Sequence, residues 1–363
     1  MICCSECFRD LEIKAVIEGI GHRGTCPICH SENALIYDSD LDSNETEFEE
    51  LLESLIGIYV IEAELDESFP EEEKNFLANH LRKDWNLFNK EIEEEGINQI
   101  LDYIIKSSLN LDENLLSCKV GVPQLHDEAY LEESSIMGNY EWSTFRNYLR
   151  NENRFHSRYI NLDVLIPLLR DAEIILSKDL KFYRARVSSS NGFTRSEMGA
   201  PPPEKATAGR VNSKGISCLY LASKKSTAVK EIRASVYDYV TIATLKLIRP
   251  AKVLDLSAIA NKSPFYASDK IKFLINKRHL EQIAADVSKP LARSDSDLDY
   301  LPTQYISDLA KFLGYDGVRY DSTFDRTTYN VALFDESICK CIYTKTYLVD
   351  NAEYTMTPVK RQF

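Results

Sequence analysis

Two pairs of cysteines stand near the start of the chain: Cys4 and Cys7, then, after eighteen residues, Cys26 and Cys29. Each C-x2-C turn can present two sulfurs to one side of a tetrahedral ion, and Pro27 suits a tight knuckle, so the spacing predicts a four-thiolate zinc site. Cys3 and His30 are spare ligands. The zinc is expected to be structural, supplying folding energy that so short a segment cannot draw from a core of its own. A second set of chemistry-bearing residues lies far along the chain. Arg184 and Arg210 can each make paired hydrogen bonds to a phosphate-like anion, and Tyr220 at a strand end offers a face for stacking. Ser322 brings a hydroxyl at a strand-to-loop edge, and Glu231 a lone carboxylate in AVKEIR. Taken singly these are ordinary residues: two surface arginines, a half-buried tyrosine, a turn serine and an exposed helix face.

The elements that must hold these groups change in kind along the chain. Residues 38–73 carry 15 acids and no Lys, Arg or His. Within them Phe48, Leu51, Leu52, Leu55, Ile56 and Tyr59 recur at helical spacing, so an amphipathic helix is expected to begin near Glu45. A second helical pattern runs through Phe76, Leu77, Leu81, Trp85, Phe88 and Ile92, and a third through Ile97, Ile100, Leu101, Ile104 and Ile105, with Gly96 breaking or kinking the join. One or two further helices are expected across 125–175, where Trp142, Phe145 and Leu149 share a face. After about residue 178 the texture turns to β-rich runs at 182–187, 218–222, 239–248, 252–256, 317–322 and 330–334, with helices expected at 224–236 and 303–314. The regular β-α alternation and Gly-rich turns of a dinucleotide fold are missing, which points to an α+β domain with a mainly antiparallel or mixed sheet. The expected fold is therefore multidomain: a small zinc ribbon over 1–36, an all-α helical bundle over 45–175, and an α+β domain over 178–363.

Composition narrows the function classes. At 363 residues, 44% hydrophobic and 28% charged, the chain can bury ample core and is neither disordered nor a low-complexity polymer. Nine cysteines without a secretion signal argue against a disulfide framework, and Cys118, Cys218, Cys339 and Cys341 read as buried thiols. No stretch of 18 apolar residues and no leader pattern occur, so a cytoplasmic protein without membrane contact is expected. The formal charge of −14 hides an asymmetry: residues 1–177 hold 14 basic against 37 acidic side chains, and residues 178–363 hold 29 against 20. An acidic half repels nucleic acid, whereas a basic half suits a phosphate-bearing small molecule or a contact with the acidic half.

The segment from Phe182 to Phe334 resembles the RES domain, a family named for Arg, Glu and Ser whose members degrade NAD. The resemblance lies in FYRAR, APPPEKATAGRVNSKGISCLYLASKKSTAVKEI, YLPTQYISDLAKFLGYDGVRYDS and NVALF, in family order. It implies a fold like that of ADP-ribosyltransferases. Carried over position by position, it implies that Arg184, Glu231 and Ser322 act in catalysis, with Arg210, Tyr220 and Asn330 binding substrate. Val211 departs from the bulky residue often found between Arg and Asn of the Gly-Arg-x-Asn element.

The chemistry of these residue types suits NAD. Its pyrophosphate calls for guanidinium groups. Ordinary glycoside cleavage needs two carboxylates because the leaving group must be protonated; nicotinamide instead leaves as a neutral molecule from a cationic ring nitrogen, so a single carboxylate can suffice by stabilising the oxocarbenium ion that develops. The expected activity is cleavage of the nicotinamide-ribose bond, by phosphorolysis with inorganic phosphate as co-substrate or by hydrolysis. The resemblance implies a toxin or antiphage effector, restrained by a separate antitoxin-like partner or by the acidic half of the chain.

Two other readings stay open. Arg150 followed by His156 fits the R-x4-6-H spacing of HEPN ribonucleases, and the helical region resembles HEPN-type domains associated with RES domains, which implies pairing of copies through that region. The acid excess of this half speaks against RNA. The other alternative is a non-catalytic module that senses NAD or ADP-ribose.

Overall fold

The structure is a computed structural model that describes residues 1–42, 46–259, 262–289, 296–325 and 327–352. It has mixed helical and sheet content and divides into two units, residues 1–139 with 261–278, and residues 140–260 with 279–363.

In the first unit β1 (Ile2–Cys4), β2 (Arg23–Gly24) and β3 (Ala34–Asp38) form a three-stranded antiparallel sheet in the order β1-β3-β2, flanked by α1 (Leu11–Ile20). Asp10 caps α1 by accepting from the backbone N–H of Glu12 and Ile13, and Gly21 ends it at φ 81°, where a side chain would be strained. Then follow α2 (Glu47–Ile56), β4 (Val60–Ile61), α3 (Leu77–Lys83), α4 (Glu94–Ser107), β5 (Val120–Gly121) and α5 (Glu128–Ser134). The first and third expected helical patterns are α2 and α4. Gly96 does not break α4: a Cβ there would come within 2.7 Å of Ile28 Cγ2, so the glycine lets the helix lie close to the second cysteine turn.

Three expectations for this half need correction. The second helical pattern stops at α3, since Asn86 takes φ 53° and Phe88 bridges to Phe8. The region is not all-α, because β4 and β5 pair antiparallel. The ribbon segment is not a separate body either. Cys3, Cys4, Cys7, Cys26, Phe8, Ile13 and Ile17 share one buried cluster with residues of α2, α3 and α4, and the Phe8 ring lies 5.8 Å from Phe48 and 5.2 Å from Phe88. Burying apolar faces together outweighs a boundary that the charge pattern alone suggested.

The second unit is built on an eight-stranded sheet. Its elements are α6 (Trp142–Asn151), α7 (Leu162–Arg170), β6 (Glu173–Leu176), β7 (Lys181–Ser188), β8 (Leu219–Ala222), α8 (Lys225–Glu231), β9 (Tyr239–Leu247) and β10 (Ala251–Asp255). After them come α9 (Lys270–Ser288), α10 (Leu301–Phe312), β11 (Gly317–Asp321), β12 (Tyr329–Leu333) and β13 (Cys339–Leu348). The first residues of α9 belong to the first unit and its remainder to the second. The strand order is β13-β9-β7-β8-β12-β11-β10-β6, antiparallel except for the parallel pair β10-β11. Every expected β-run is a strand. The expected helix at 303–314 is α10, and α8 covers the first part of the run at 224–236.

Here too the expected boundary moves. Residues 140–177 belong with the sheet, since β6 pairs with β10, Trp142 Nε1 donates to Asp286 at 2.8 Å, and the rings of Phe145 and Tyr305 lie 5.3 Å apart. Trp142, Phe145 and Leu149 do share the buried face of α6. Phe182, Leu219, Leu221, Leu245, Val253, Val331 and Leu333 fill the core on one face of the sheet. On α8 the contacts are small: Ala185, Ala222, Ala228 and Val240 cluster, so the helix can lie close to the strands.

Candidate active site

The site begins with a defect in the sheet. β7 pairs with β9 over eight residues but with β8 only at Tyr183↔Ala222. Beyond that pair the two strands part, and the gap leaves backbone groups without ladder partners. Arg184 fills one of these: its Nη1 donates to the carbonyl of Tyr220 at 3.2 Å. Arg184 Nε is buried and has no hydrogen-bond partner among the described residues. Burial, and then the neighbouring charge of Arg186, hold this guanidinium down at about 10, still cationic at neutral pH. A half-buried cation without a carboxylate partner is costly, and an anionic ligand would relieve that cost.

Beside the gap lies a cavity of about 390 Å³, lined among others by Arg184, Arg186, Tyr220, Glu231, Tyr320 and Asn330. Glu231 is the last residue of α8. That helix is anchored by Thr227, whose fully buried Oγ1 bonds Thr328 Oγ1 at 3.0 Å. Glu231 Oε1 accepts from Ser322 Oγ at 2.9 Å and from Asn330 Nδ2 at 2.7 Å. Ser322 follows β11 and Asn330 lies on β12, in register with Tyr320 and Ala222, so three elements converge on one carboxylate oxygen. Both donors are buried. Two donors on Oε1 fix the carboxylate's orientation, and no hydrogen bond among the described residues falls on Oε2.

The structure thus brings Arg184, Tyr220, Glu231 and Asn330 to one cavity and sets Ser322 on Glu231. Asn330, expected on the substrate, is bonded to Glu231. Arg210 is not a lining residue. Its Nη1 donates to the carbonyls of Val287 (3.1 Å) and Ser288 (3.3 Å) at the end of α9, and its guanidinium lies 5.7 Å from the ring centroid of Tyr320, which does line the cavity. The Tyr220 hydroxyl is engaged elsewhere: it donates to Asn212 Oδ1 at 2.6 Å and accepts from the N–H of Val211 at 3.3 Å. Tyr220 thus lines the cavity with its hydroxyl committed to the 207–216 loop. Burial pushes the hydroxyls of Tyr220 and Tyr320 up, so both stay neutral. Sequence reasoning did not single out Tyr183, Arg186 and Tyr320; the alternation of β7 and the YDS strand end were the available signals.

Arg150 and His156 do not meet as a pair on one helix. Arg150 is in the last turn of α6 and bonds Asp299 at 3.0 Å, whereas His156 lies exposed beyond the helix end.

In the first unit the sulfurs of Cys4, Cys7, Cys26 and Cys29 all lie within 4.8 Å of one another, with Cys4–Cys7 at 3.8 Å, Cys4–Cys29 at 3.2 Å and Cys7–Cys26 at 3.6 Å, near the separation of about 3.8 Å that bonds of about 2.3 Å to a tetrahedral ion give. The donor set fits zinc. No helix among the described residues is long and apolar enough to cross a membrane.

No curated protein matches the chain. Among solved structures, a chain of the crystal structure of the M. tuberculosis MbcT-MbcA toxin-antitoxin complex is similar at 11% identity and a TM-score of 0.32, over 51% of this chain and 92% of that one. Seven of the eight strands, the strand gap and every residue around Glu231 fall within residues 181–355, and this segment matches the RES domain family.

Proposed function

We propose that the second unit cleaves the nicotinamide-ribose bond of NAD, with phosphate or water as acceptor. The observation that carries this reading is a single carboxylate, held by two buried donors on one oxygen, in a cavity that also contains a guanidinium whose buried Nε has no hydrogen-bond partner among the described residues. Arg184 would take the pyrophosphate. As the bond from C1′ to the ring nitrogen breaks, its electron pair neutralises the departing nicotinamide, so no proton donor is needed. Glu231 would stabilise the positive charge left on the ribose. An oxygen of phosphate or water then closes the new bond to C1′, and with water a proton passes to solvent. Incubating the purified protein with NAD, with and without phosphate, and weighing the products tests the reading; intact NAD under both conditions overturns it. We also propose one structural zinc on the four thiolates, and a separate restraining partner, since loss of NAD would arrest a cell.

Two variants separate the parts of this reading. Arg184→Ala should weaken NAD binding roughly thirtyfold or more, because truncating one side of a buried charged contact costs at least about 2 kcal/mol. Its melting temperature should hold or rise, since a half-buried cation that makes no ion pair among the described residues is removed. Calorimetric titration and a thermal melt check both, and unchanged affinity would remove Arg184 from the site. Arg150→Ala combined with His156→Ala should leave NAD consumption within about twofold of the parent, since neither residue lines the cavity. RNA cleavage that this double change abolishes, from a parent inert to NAD, would favour the ribonuclease reading instead.

A further inference from the structure

The loop at 207–216, which carries Arg210, is a small hydrogen-bonded body rather than a free connection. Asn212 is its hub: buried, it donates through Nδ2 to the carbonyls of Thr207 (3.0 Å), Ser213 (3.1 Å) and Ile216 (2.9 Å), and accepts from the Tyr220 hydroxyl. Gly209 permits the approach, for a Cβ there would meet Tyr220 Oη at 2.5 Å and Asn212 Oδ1 at 2.6 Å. From outside the loop, α10 holds it at two points. Gln304 Nε2 donates to the carbonyls of Gly209 (2.8 Å) and Asn212 (3.0 Å), while its Oε1 accepts from Ser213 Oγ at 3.2 Å. Thr303 Oγ1 donates to the carbonyl of Arg210 at 2.5 Å. Gln304 and Thr303 are both buried.

We infer that Gln304 is a positioning residue for the active site. It clamps the loop so that the lining residue Tyr220 is held in a fixed place and Arg210 is held against the lining residue Tyr320, and so sets affinity for the dinucleotide without touching it. The Tyr220 hydroxyl is the inner half of the same clamp, acting on the loop while the residue lines the cavity. The link to NAD rests on the reading proposed above; the clamp itself does not.

Gln304→Glu keeps size and shape but sets a carboxylate against two carbonyl oxygens, which removes the donor and adds repulsion. Tyr220→Phe keeps the ring and removes only the inner contact. In the free protein, each should speed amide hydrogen exchange across 207–216 while leaving β9 and β12 protected as in the parent. In turnover, each should raise KM for NAD about tenfold with kcat within about twofold, the pattern of lost ground-state binding. The double variant should show less than the product of the two KM effects, because both act on one loop. Unchanged exchange in 207–216 overturns the clamp whatever NAD does. Faster exchange with kcat lowered and KM unchanged, or with multiplying KM effects, overturns the assignment to affinity. A parent that neither binds nor consumes NAD overturns the catalytic reading, and with it that assignment. If Gln304→Glu fails to fold, Ser213→Ala, which removes one peripheral bond of the same clamp, should still speed exchange in the loop, and unchanged exchange there is equally fatal.

Discussion

Glu231→Gln is expected to lose about a hundredfold to a thousandfold in turnover of NAD while binding it nearly as well as the parent. The geometry makes this a clean substitution. Both hydrogen bonds to Glu231 arrive at Oε1, from Ser322 and Asn330, and both are donated to it. A glutamine can turn its carbonyl oxygen to the same two donors and place its amide where Oε2 stood. Fold, side-chain position and cavity shape are therefore kept, and only the negative charge is removed. That charge has little to do for a bound dinucleotide in its ground state, but it opposes the positive charge that develops on the ribose as nicotinamide leaves. Steady-state rates beside a direct binding measurement separate the two effects. Turnover at the parent rate in a folded variant would remove Glu231 from catalysis and leave the RES match as a statement about fold.

The second large effect concerns stability. The protein should purify with one zinc per chain, and removing the metal with a strong chelator, or changing Cys26→Ser, should unfold the first unit rather than loosen its first residues alone. Structural zinc contributes about 10–16 kcal/mol of apparent binding energy in small thiolate sites. Here the sulfurs are not on an appendage: Cys4, Cys7 and Cys26 lie in the same buried cluster as Phe8, Phe48, Leu52 and Ile97. Without an ion, thiolates gathered within 4.8 Å of one another must take up protons or separate, and separation opens that cluster. Circular dichroism should lose helical signal from α2 and α4, while the sheet of the second unit keeps its own melting transition. Metal analysis near zero, with all four thiols reactive and the first unit melting as before, would sink this expectation.

Much of the second unit was legible because strands with one buried face write their period into the sequence, as at 182–187 and 239–248. Glu231 is different: AVKEIR by itself is an exposed helix face, and only its motif company marks it. What sequence did not reveal has physical causes. The apolar residues of α9 make no single stripe, since Phe273 is buried in one unit's core while Leu280, Ile283 and Val287 are buried at the other end of the helix, so the period cancels. β13 carries a register shift between Cys341 and Tyr343, which breaks its alternation in the middle. The second helical pattern of the first unit had the right spacing, but the bridge between Phe8 and Phe88 wins over local periodicity there. No local signal tells that Gln304 holds the carbonyls of Gly209 and Asn212, because the contact joins residues more than 90 positions apart.

The order in which the chain crosses between its two units governs when each can be completed on the ribosome. A first unit ending at residue 139 would fold as it emerged, as N-terminal domains do during synthesis. Here its core still lacks Phe273, which stacks on Trp85 at 6.1 Å, and Asn276, which bonds the backbone of Ser134 and Ile136. Those residues come only after most of the second unit's first strands have been made. The cluster around Glu231 is later still: a nascent chain that has reached Glu231 has neither Ser322 nor Asn330 to orient the carboxylate, and β8 has no β12 to pair with. A truncated product, from a broken message or a stalled ribosome, would therefore carry the carboxylate without its donors and be inert. For the cleavage of NAD proposed above, chain order would itself be a safeguard.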